Sequence, residues 1–332
     1  MKPILIDRHQ RVIDYVRLAV TDRCNLRCFY CMPAEGIDYL PRPHLLTYEE
    51  MERLLGLLAI HGIRKVRITG GEPFVRKGMI DFLARVKQIP GLEALHLTSN
   101  GVLSGPYVDQ LKALGLDSFN LSLDTLDRAR FKAITRRDEL PRVLDCLHQL
   151  LDKGIPTKIN AVVMEGKNIG DLIPLAELSR EQPLEVRFIE EMPFNGTGSH
   201  YPTLHWNQAR ILAHLKEHYP DLYRIESPQS STSVRYQIPG YQGKVGIIAA
   251  FSRSFCGTCN RIRITPQGSM RTCLYGEGVL NFRDLMRSGA RDAELIRALK
   301  GALGQRAKDG FEAEARRSKE NDLSESMSTI GG

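Results

Sequence analysis

Short β-branched and aliphatic runs recur through the first two thirds of the chain, each followed by a stretch with helical spacing, and no other feature limits the fold as much. Six runs have strand character: 15–21, 66–69, 95–99, 118–124, 157–163 and 186–190. After the first, Thr47 and Glu50 form a capping box ahead of Met51, Leu54, Leu55 and Leu58 at helical spacing. The segment Lys112-Ala113-Leu114-Gly115 predicts a helix closed by a glycine. Parallel strands need a crossover between them, usually a helix, so the alternation predicts an α/β fold with a parallel sheet. An open doubly wound sheet and a barrel both satisfy it. Polar or glycine-rich motifs end most of the runs, which favours a barrel-like curl, although open sheets also bind ligands at that end.

The alternation breaks down after about residue 220, and 227–233 reads as a linker or long surface loop. A second unit is expected beyond it, with short strands near 245–249 and 261–265 and helices around 281–288 and 293–302. At 332 residues the chain has room for about two domains, and 42% hydrophobic with 26% charged residues is the balance of a soluble globular protein. Apolar stretches such as 57–60 are far shorter than the ~20 residues a membrane helix needs, and the N-terminus lacks the apolar run of a secretory signal. A cytoplasmic protein is expected. The last 25 or so residues, rich in Glu, Lys, Arg and Ser, read by composition as a mobile tail.

The seven cysteines are unevenly spread. Cys24, Cys28 and Cys31 follow the first strand, Cys256, Cys259 and Cys273 lie near the end, and Cys146 stands alone on a helix-like stretch, where it reads as a small buried hydrophobe. In a reducing compartment such clusters are more often ligands than disulfides. Three thiolates within eight residues repel one another unless a cation or cluster neutralises them. A structural zinc site takes four protein ligands, and His44 is the nearest downstream histidine to the first group. Three thiolates on a [4Fe-4S] cluster leave one iron open to bind something else. The second group also lacks a visible fourth ligand, since the last histidine is His218; a zinc site borrowing a remote ligand stays open there.

The segment Cys24-Asn25-Leu26-Arg27-Cys28-Phe29-Tyr30-Cys31 resembles the signature of the radical S-adenosylmethionine (SAM) enzymes, whose open iron binds the amino and carboxylate groups of SAM. Thr69-Gly70-Gly71-Glu72-Pro73 resembles their glycine-rich motif, in which the missing Cβ atoms allow close backbone approach to a ligand. The resemblance implies SAM contacts from Tyr30, Gly71, Ser122 and Met192, and a core folded as an incomplete (β/α)6 TIM-like barrel. That core is expected over 6–225, and a smaller C-terminal domain with a second Fe-S cluster over 226–332.

Among radical SAM enzymes the sequence is similar to the GTP 3′,8-cyclases that begin molybdenum-cofactor biosynthesis. The likeness includes the segment Phe255-Cys256-Gly257-Thr258-Cys259-Asn260-Arg261-Ile262-Arg263 and the terminal Ile330-Gly331-Gly332. It implies two [4Fe-4S] clusters and SAM as cofactors, an external electron donor, and GTP as substrate. A 5′-deoxyadenosyl radical takes the hydrogen from C3′ of GTP, and the carbon radical adds to C8 of guanine. The product, 3′,8-cyclo-7,8-dihydro-GTP, passes toward a cyclic pyranopterin monophosphate synthase. The implied GTP contacts are Arg17, Arg67, Thr98, Lys158, Arg261, Ile262 and Arg263, with the second cluster's open iron on the guanine base. Arg187 is a candidate active-site cation, and Gly331 and Gly332 are expected to enter the site. The net charge of +7 then reads as partly a pocket for one triphosphate, and no stripe of cations and aromatics points to nucleic acid. No membrane partner is expected, and a monomer or homodimer fits.

Overall fold

The structure, a computed structural model, describes residues 4–196, 203–317 and 325–331. An antiparallel hairpin of β1 (Leu5–Ile6) and β2 (Val12–Ile13) precedes the main sheet. The six expected strands are all present: β3 (Tyr15–Ala19), β4 (Lys65–Thr69), β5 (Ala94–Ser99), β6 (Ser118–Ser122), β7 (Thr157–Val163) and β8 (Glu185–Glu190). Each pairs in parallel with the next. The first crossover is the helix Tyr48–Ile60, which has both halves of its capping box and buries Met51, Leu54, Leu55 and Leu58. The helix Val108–Ala113 stops before Gly115, whose φ of 74° is left-handed backbone.

The later strands do not make a sheet of their own. β9 (Tyr223–Ile225), β10 (Ser233–Gln237), β11 (Lys244–Ile248), β12 (Arg261–Ile264), β13 (Ser269–Arg271) and β14 (Leu280–Asn281) extend the first sheet to twelve strands in the order β14-β13-β12-β3-β4-β5-β6-β7-β8-β11-β10-β9. β11 joins the β8 edge and β12 the β3 edge, both in parallel. Each satisfies a row of backbone groups that an edge strand would leave unpaired.

Period-2 alternation decides what each face does. Val16 and Leu18, Val66 and Ile68, Phe119 and Leu121, Val186 and Phe188, and Ile262 and Ile264 are buried in the core. Their neighbours Arg17, Arg67, Asn120, Arg187 and Arg263 border a single cavity instead. Inner-face residues from β12 round to β10 reach that one cavity, so the sheet curls about it. The curl is open, because the outermost strands β14 and β9 do not pair with each other among the described residues.

Two composition-based expectations need correction. The polar segment at 227–233 is a loop only to Thr232, and it borders the cavity through Pro228 to Thr232; Ser233 already opens β10. The described end of the chain is packed rather than loose. Helices Gly310–Ala315 and Met327–Ile330 form there, and Ser326, Ser328 and Ile330 are buried, with Ile330 packed beside Phe194 and Tyr275. A few well-placed small and apolar residues outweigh the charged average. Among the described residues no helix is long and apolar enough to cross a membrane.

Candidate active site

The cavity has a volume of about 600 Å³, and all six clustered cysteines border it. Cys24, Cys28 and Cys31 lie on the loop that leaves β3. That loop is fixed against the glycine-rich turn: Gly71 N donates to Thr21 O at 2.8 Å and Glu72 N to Arg23 O at 2.8 Å. A Cβ on Gly70 would stand 2.7 Å from Thr21 O, and one on Gly71 2.3 Å from Arg23 O. The glycines are therefore required by contact between two backbones, a role different from the close ligand approach expected of them, although Gly71 also borders the cavity. Glu72 is fully enclosed, accepting from Phe74 N, Asn100 N and Ser99 Oγ. Burial raises its carboxyl to about 7.

Burial, then Glu72, pushes the Cys24 thiol to about 12; burial takes Cys31 to about 11, and burial with Cys31 and Asp124 takes Cys28 well above the ordinary range. Thiolates form in such a pocket only with a cationic partner. Among the described residues no three Cys, His, Asp or Glu side chains converge on a position for a single metal ion. A donor set of three spaced thiols suits an iron–sulfur cluster, whose cysteines attach to different irons. In the second triad burial raises Cys256 and Cys273. Burial also acts against the Cys259 thiolate, but the Arg306 and Arg261 guanidinium groups outweigh it and bring that thiol below its usual value.

Cations line the wall between the triads. Arg67 donates from Nε to the Tyr15 hydroxyl at 2.6 Å and from Nη1 to Leu97 O and Thr98 Oγ1 at 3.2 and 3.3 Å. Arg187 reaches both oxygens of Glu185, at 2.8 and 3.1 Å, and Lys158 Nζ lies 3.9 Å from the same carboxylate. Burial, then the Arg187 charge, lowers Lys158 to about 8. Arg17 and Arg263 are half-buried on the cavity wall; burial, then the Arg263 charge, holds Arg17 well below the usual range, and burial brings Arg263 to about 10. Arg261 stacks 5.6 Å from the Tyr15 ring and donates to Ser230 O on the loop over the cavity. Ile262 needs a correction: its side chain is buried in the core, and among the three residues Arg261, Ile262 and Arg263 it is the one that does not border the cavity.

Tyr30, Ser122 and Met192 all border the cavity, and the Tyr30 hydroxyl donates to Asp124 Oδ2 at 2.7 Å. Arg263 also donates to Gly331 O, so the end of the chain reaches the cations. Ser326 Oγ donates to Cys31 O at 2.7 Å, and Glu325 accepts from Arg271 and Arg317. Gly331 has a φ of 88°, and a Cβ there would lie 2.9 Å from Ala19 Cβ. Gly332 lies outside the described residues. Cys146 is buried against Ser104 and away from the cavity.

Sequence reasoning passed over Tyr15, His96, Asn120, Asn160, Glu185 and Arg235, all on the cavity wall. Their signal is the same inward strand parity that Arg17 and Arg67 display. Asn120 Oδ1 and Asn160 Oδ1 are buried without a hydrogen-bond partner, an arrangement that suits a polar ligand.

Residues 18–179 match the radical SAM superfamily, and residues 184–311 match the molybdenum cofactor synthesis C-terminal family. GTP 3′,8-cyclase of Heliobacterium modesticaldum is 42% identical, the alignment covering 90% of this chain and 92% of that protein. The enzyme of that name from Clostridium perfringens is 40% identical over 90% and 91% of the two chains. Molybdenum cofactor biosynthesis protein 1 of Homo sapiens is 39% identical over 91% of this chain, which spans about half (48%) of that longer protein. Among solved structures, Streptococcus suis SuiB superposes with a TM-score of 0.61 at 13% identity, over 94% of this chain and 70% of SuiB, which is a likeness of fold. With both cysteine triads on one cavity and the two bacterial cyclases matched along nearly their whole length, the chain belongs to the GTP 3′,8-cyclase family of radical SAM proteins.

Proposed function

We propose that this chain cyclises GTP to (8S)-3′,8-cyclo-7,8-dihydroguanosine 5′-triphosphate, the first step of molybdenum-cofactor biosynthesis. The shared cavity supports this most: both cysteine triads border it together with Arg17, Arg67, Lys158, Arg187, Arg261 and Arg263. In this reading Cys24, Cys28 and Cys31 hold one [4Fe-4S] cluster, and Cys256, Cys259 and Cys273 hold the other. Tyr30, Gly71, Ser122 and Met192 take SAM; Arg17, Arg67, Thr98, Lys158, Arg261 and Arg263 take GTP. When bound, the clusters and SAM supply the one-electron chemistry that opens the C3′–H bond of GTP, which no side chain on this wall supplies.

The protein's part is to hold and orient. Tyr15, Leu97 O and Thr98 fix the Arg67 fork before substrate arrives, so little side-chain entropy is lost when it meets phosphate oxygens. Lys158 keeps its charge at neutral pH, and Glu185 holds Arg187 in one direction. The loop from Pro228 to Thr232 borders the site, and Arg261 donates to its Ser230 O. Gly331 occupies a space closed to larger residues, and its carbonyl accepts from the Arg263 cation.

The chain divides in this reading into an incomplete (β/α)6 barrel over 6–225 and a C-terminal part over 226–332 that carries the second cluster. Free cysteines and exposed-iron clusters suit the reducing cytoplasm, with an external electron donor and a cyclic pyranopterin monophosphate synthase downstream. Anaerobic reconstitution with iron and sulfide, then dithionite, SAM and GTP, tests the function. About eight irons per chain and a cyclic GTP product are expected; zinc in place of iron, or 5′-deoxyadenosine formed regardless of GTP, overturns it. Deleting Gly331 and Gly332 is expected to abolish cyclisation while iron stays at about eight, and unchanged turnover contradicts their role.

A further inference from the structure

The second triad is braced from far away in sequence. Arg306, only 3% exposed, follows the helix Asp292–Gly304. Its Nη2 donates to Cys259 Sγ at 3.1 Å and to Arg261 O at 3.1 Å, and its Nη1 to Asp7 Oδ2 at 3.3 Å. Asp7, in the N-terminal hairpin, is itself buried and accepts from His9 N at 2.9 Å, Arg11 N at 3.0 Å and Arg11 Nε at 2.7 Å. Arg11 in turn donates to Cys256 O, Ala307 O and Lys308 O at 2.9, 2.9 and 2.7 Å. A carboxylate, two guanidinium groups and the loop bearing Cys256 and Cys259 thus form one buried unit.

The two triads differ sharply in what meets their sulfurs. At Cys24 the donors are neutral: Leu26 N at 3.4 Å and Asn100 Nδ2 at 3.8 Å. The carboxyl groups of Glu72 and Asp124 stand close to that triad, and the one nearby cation named with them, Arg27, donates to Cys24 O at 2.6 Å rather than to its sulfur. At Cys259 the donor is a full positive charge, aimed by a buried carboxylate and shielded from salt.

We propose that Arg306 is a positioning residue for the second cluster: braced by Asp7, it holds Cys259 toward its iron and raises that cluster's reduction potential. This rests on the reading that the second triad holds a [4Fe-4S] cluster. Reduction adds negative charge to a cluster, and a cation hydrogen-bonded to a ligating sulfur stabilises the reduced form more than the oxidised one. Neutral donors at Cys24 and a cation at Cys259 then set the clusters apart, with the second the easier to reduce on this account.

The test is a redox titration followed by electron paramagnetic resonance. It uses the full chain with Cys24, Cys28 and Cys31 replaced by alanine, so that only the second cluster gives a signal. Arg306→Met is expected to lower the midpoint by a tenfold or greater change in the reduced-to-oxidised ratio, ~59 mV for one electron. Arg306→Lys, which keeps the charge and loses the fork, is expected to recover part of the shift. An unchanged midpoint in Arg306→Met at full iron loading overturns the proposal. So does a lysine variant that behaves as methionine does, since a merely structural role gives no rescue by charge. Failure of the parent protein to bind about four irons at the second triad refutes the underlying cluster reading instead, and the two failures are distinguished by the iron count before any titration.

Discussion

Replacing Gly71 with alanine tests how the first cysteine loop is held. The new Cβ would lie 2.3 Å from Arg23 O, 2.6 Å from Arg23 C and 2.9 Å from Asp22 O, whereas ordinary contact begins at about 3.4 Å. All three are backbone atoms, so the strain cannot be relieved by turning a side chain. The loop must retreat by about 1 Å, and the 2.8 Å bond from Glu72 N to Arg23 O is lost with it. Overpacking costs about 1–3 kcal/mol and the hydrogen bond about 1 kcal/mol, together about 2–4 kcal/mol against the native loop. Arg23 immediately precedes Cys24, so the expected phenotype is local: anaerobic reconstitution leaves about four irons per chain instead of eight, and the second triad stays loaded. Gly56→Ala is the matched control. That glycine lies inside the helix Tyr48–Ile60 with nothing within 4 Å of a Cβ, so the same change is expected to stabilise by about 0.5–1 kcal/mol and leave iron unchanged. Full iron and undiminished stability in Gly71→Ala would refute the reasoning.

Two pH effects follow from the cavity wall. Burial, then the Arg187 charge, sets Lys158 near 8 against an ordinary 10.5, so its charge is present below pH 8 and lost above it. GTP affinity, measured by equilibrium binding, is expected to weaken by up to about tenfold by pH 9 and to stay flat in Lys158→Arg; a flat wild-type profile contradicts this. Burial, then Arg67 and Lys158, keeps His96 neutral down to about pH 3 against an ordinary 6.5. The unfolded chain protonates first as pH falls through 6.5, so the stability this group confers is full above 6.5 and declines below, by about 3 kcal/mol at pH 4. Denaturant unfolding of His96→Gln is expected to show a correspondingly shallower acid loss, and parallel profiles for the two proteins would count against it.

Much of the site is readable from sequence because it depends on local chemistry. The six strands are short β-branched runs, the Thr47–Glu50 cap is a four-residue pattern, and each cysteine triad is complete within its own segment apart from Cys273. What escaped depends on distant pairing. Nothing near Lys244 or Arg261 says that these strands complete the edges beside β8 and β3, since an edge partner is chosen by the fold as a whole. Tyr15, Glu185 and Arg235 look like ordinary strand residues until the curl brings them to one cavity. The glycines of Thr69-Gly70-Gly71 were legible as essential, but the backbone they accommodate belongs to a segment some fifty residues earlier. Composition misjudged the tail because Ser326, Ser328, Ile330 and Gly331, which dock, are outnumbered in the sequence by charged residues, and an average over composition says nothing of where each one sits.

The central claim is that SAM at the first triad and GTP at the second share one cavity, with C3′ of GTP facing SAM. GTP carrying deuterium at C3′ tests it in a single turnover with the reconstituted protein, SAM and dithionite. The account predicts that the label is recovered in 5′-deoxyadenosine alongside the cyclic product. Unlabelled 5′-deoxyadenosine, with deuterium retained in the GTP, would contradict it.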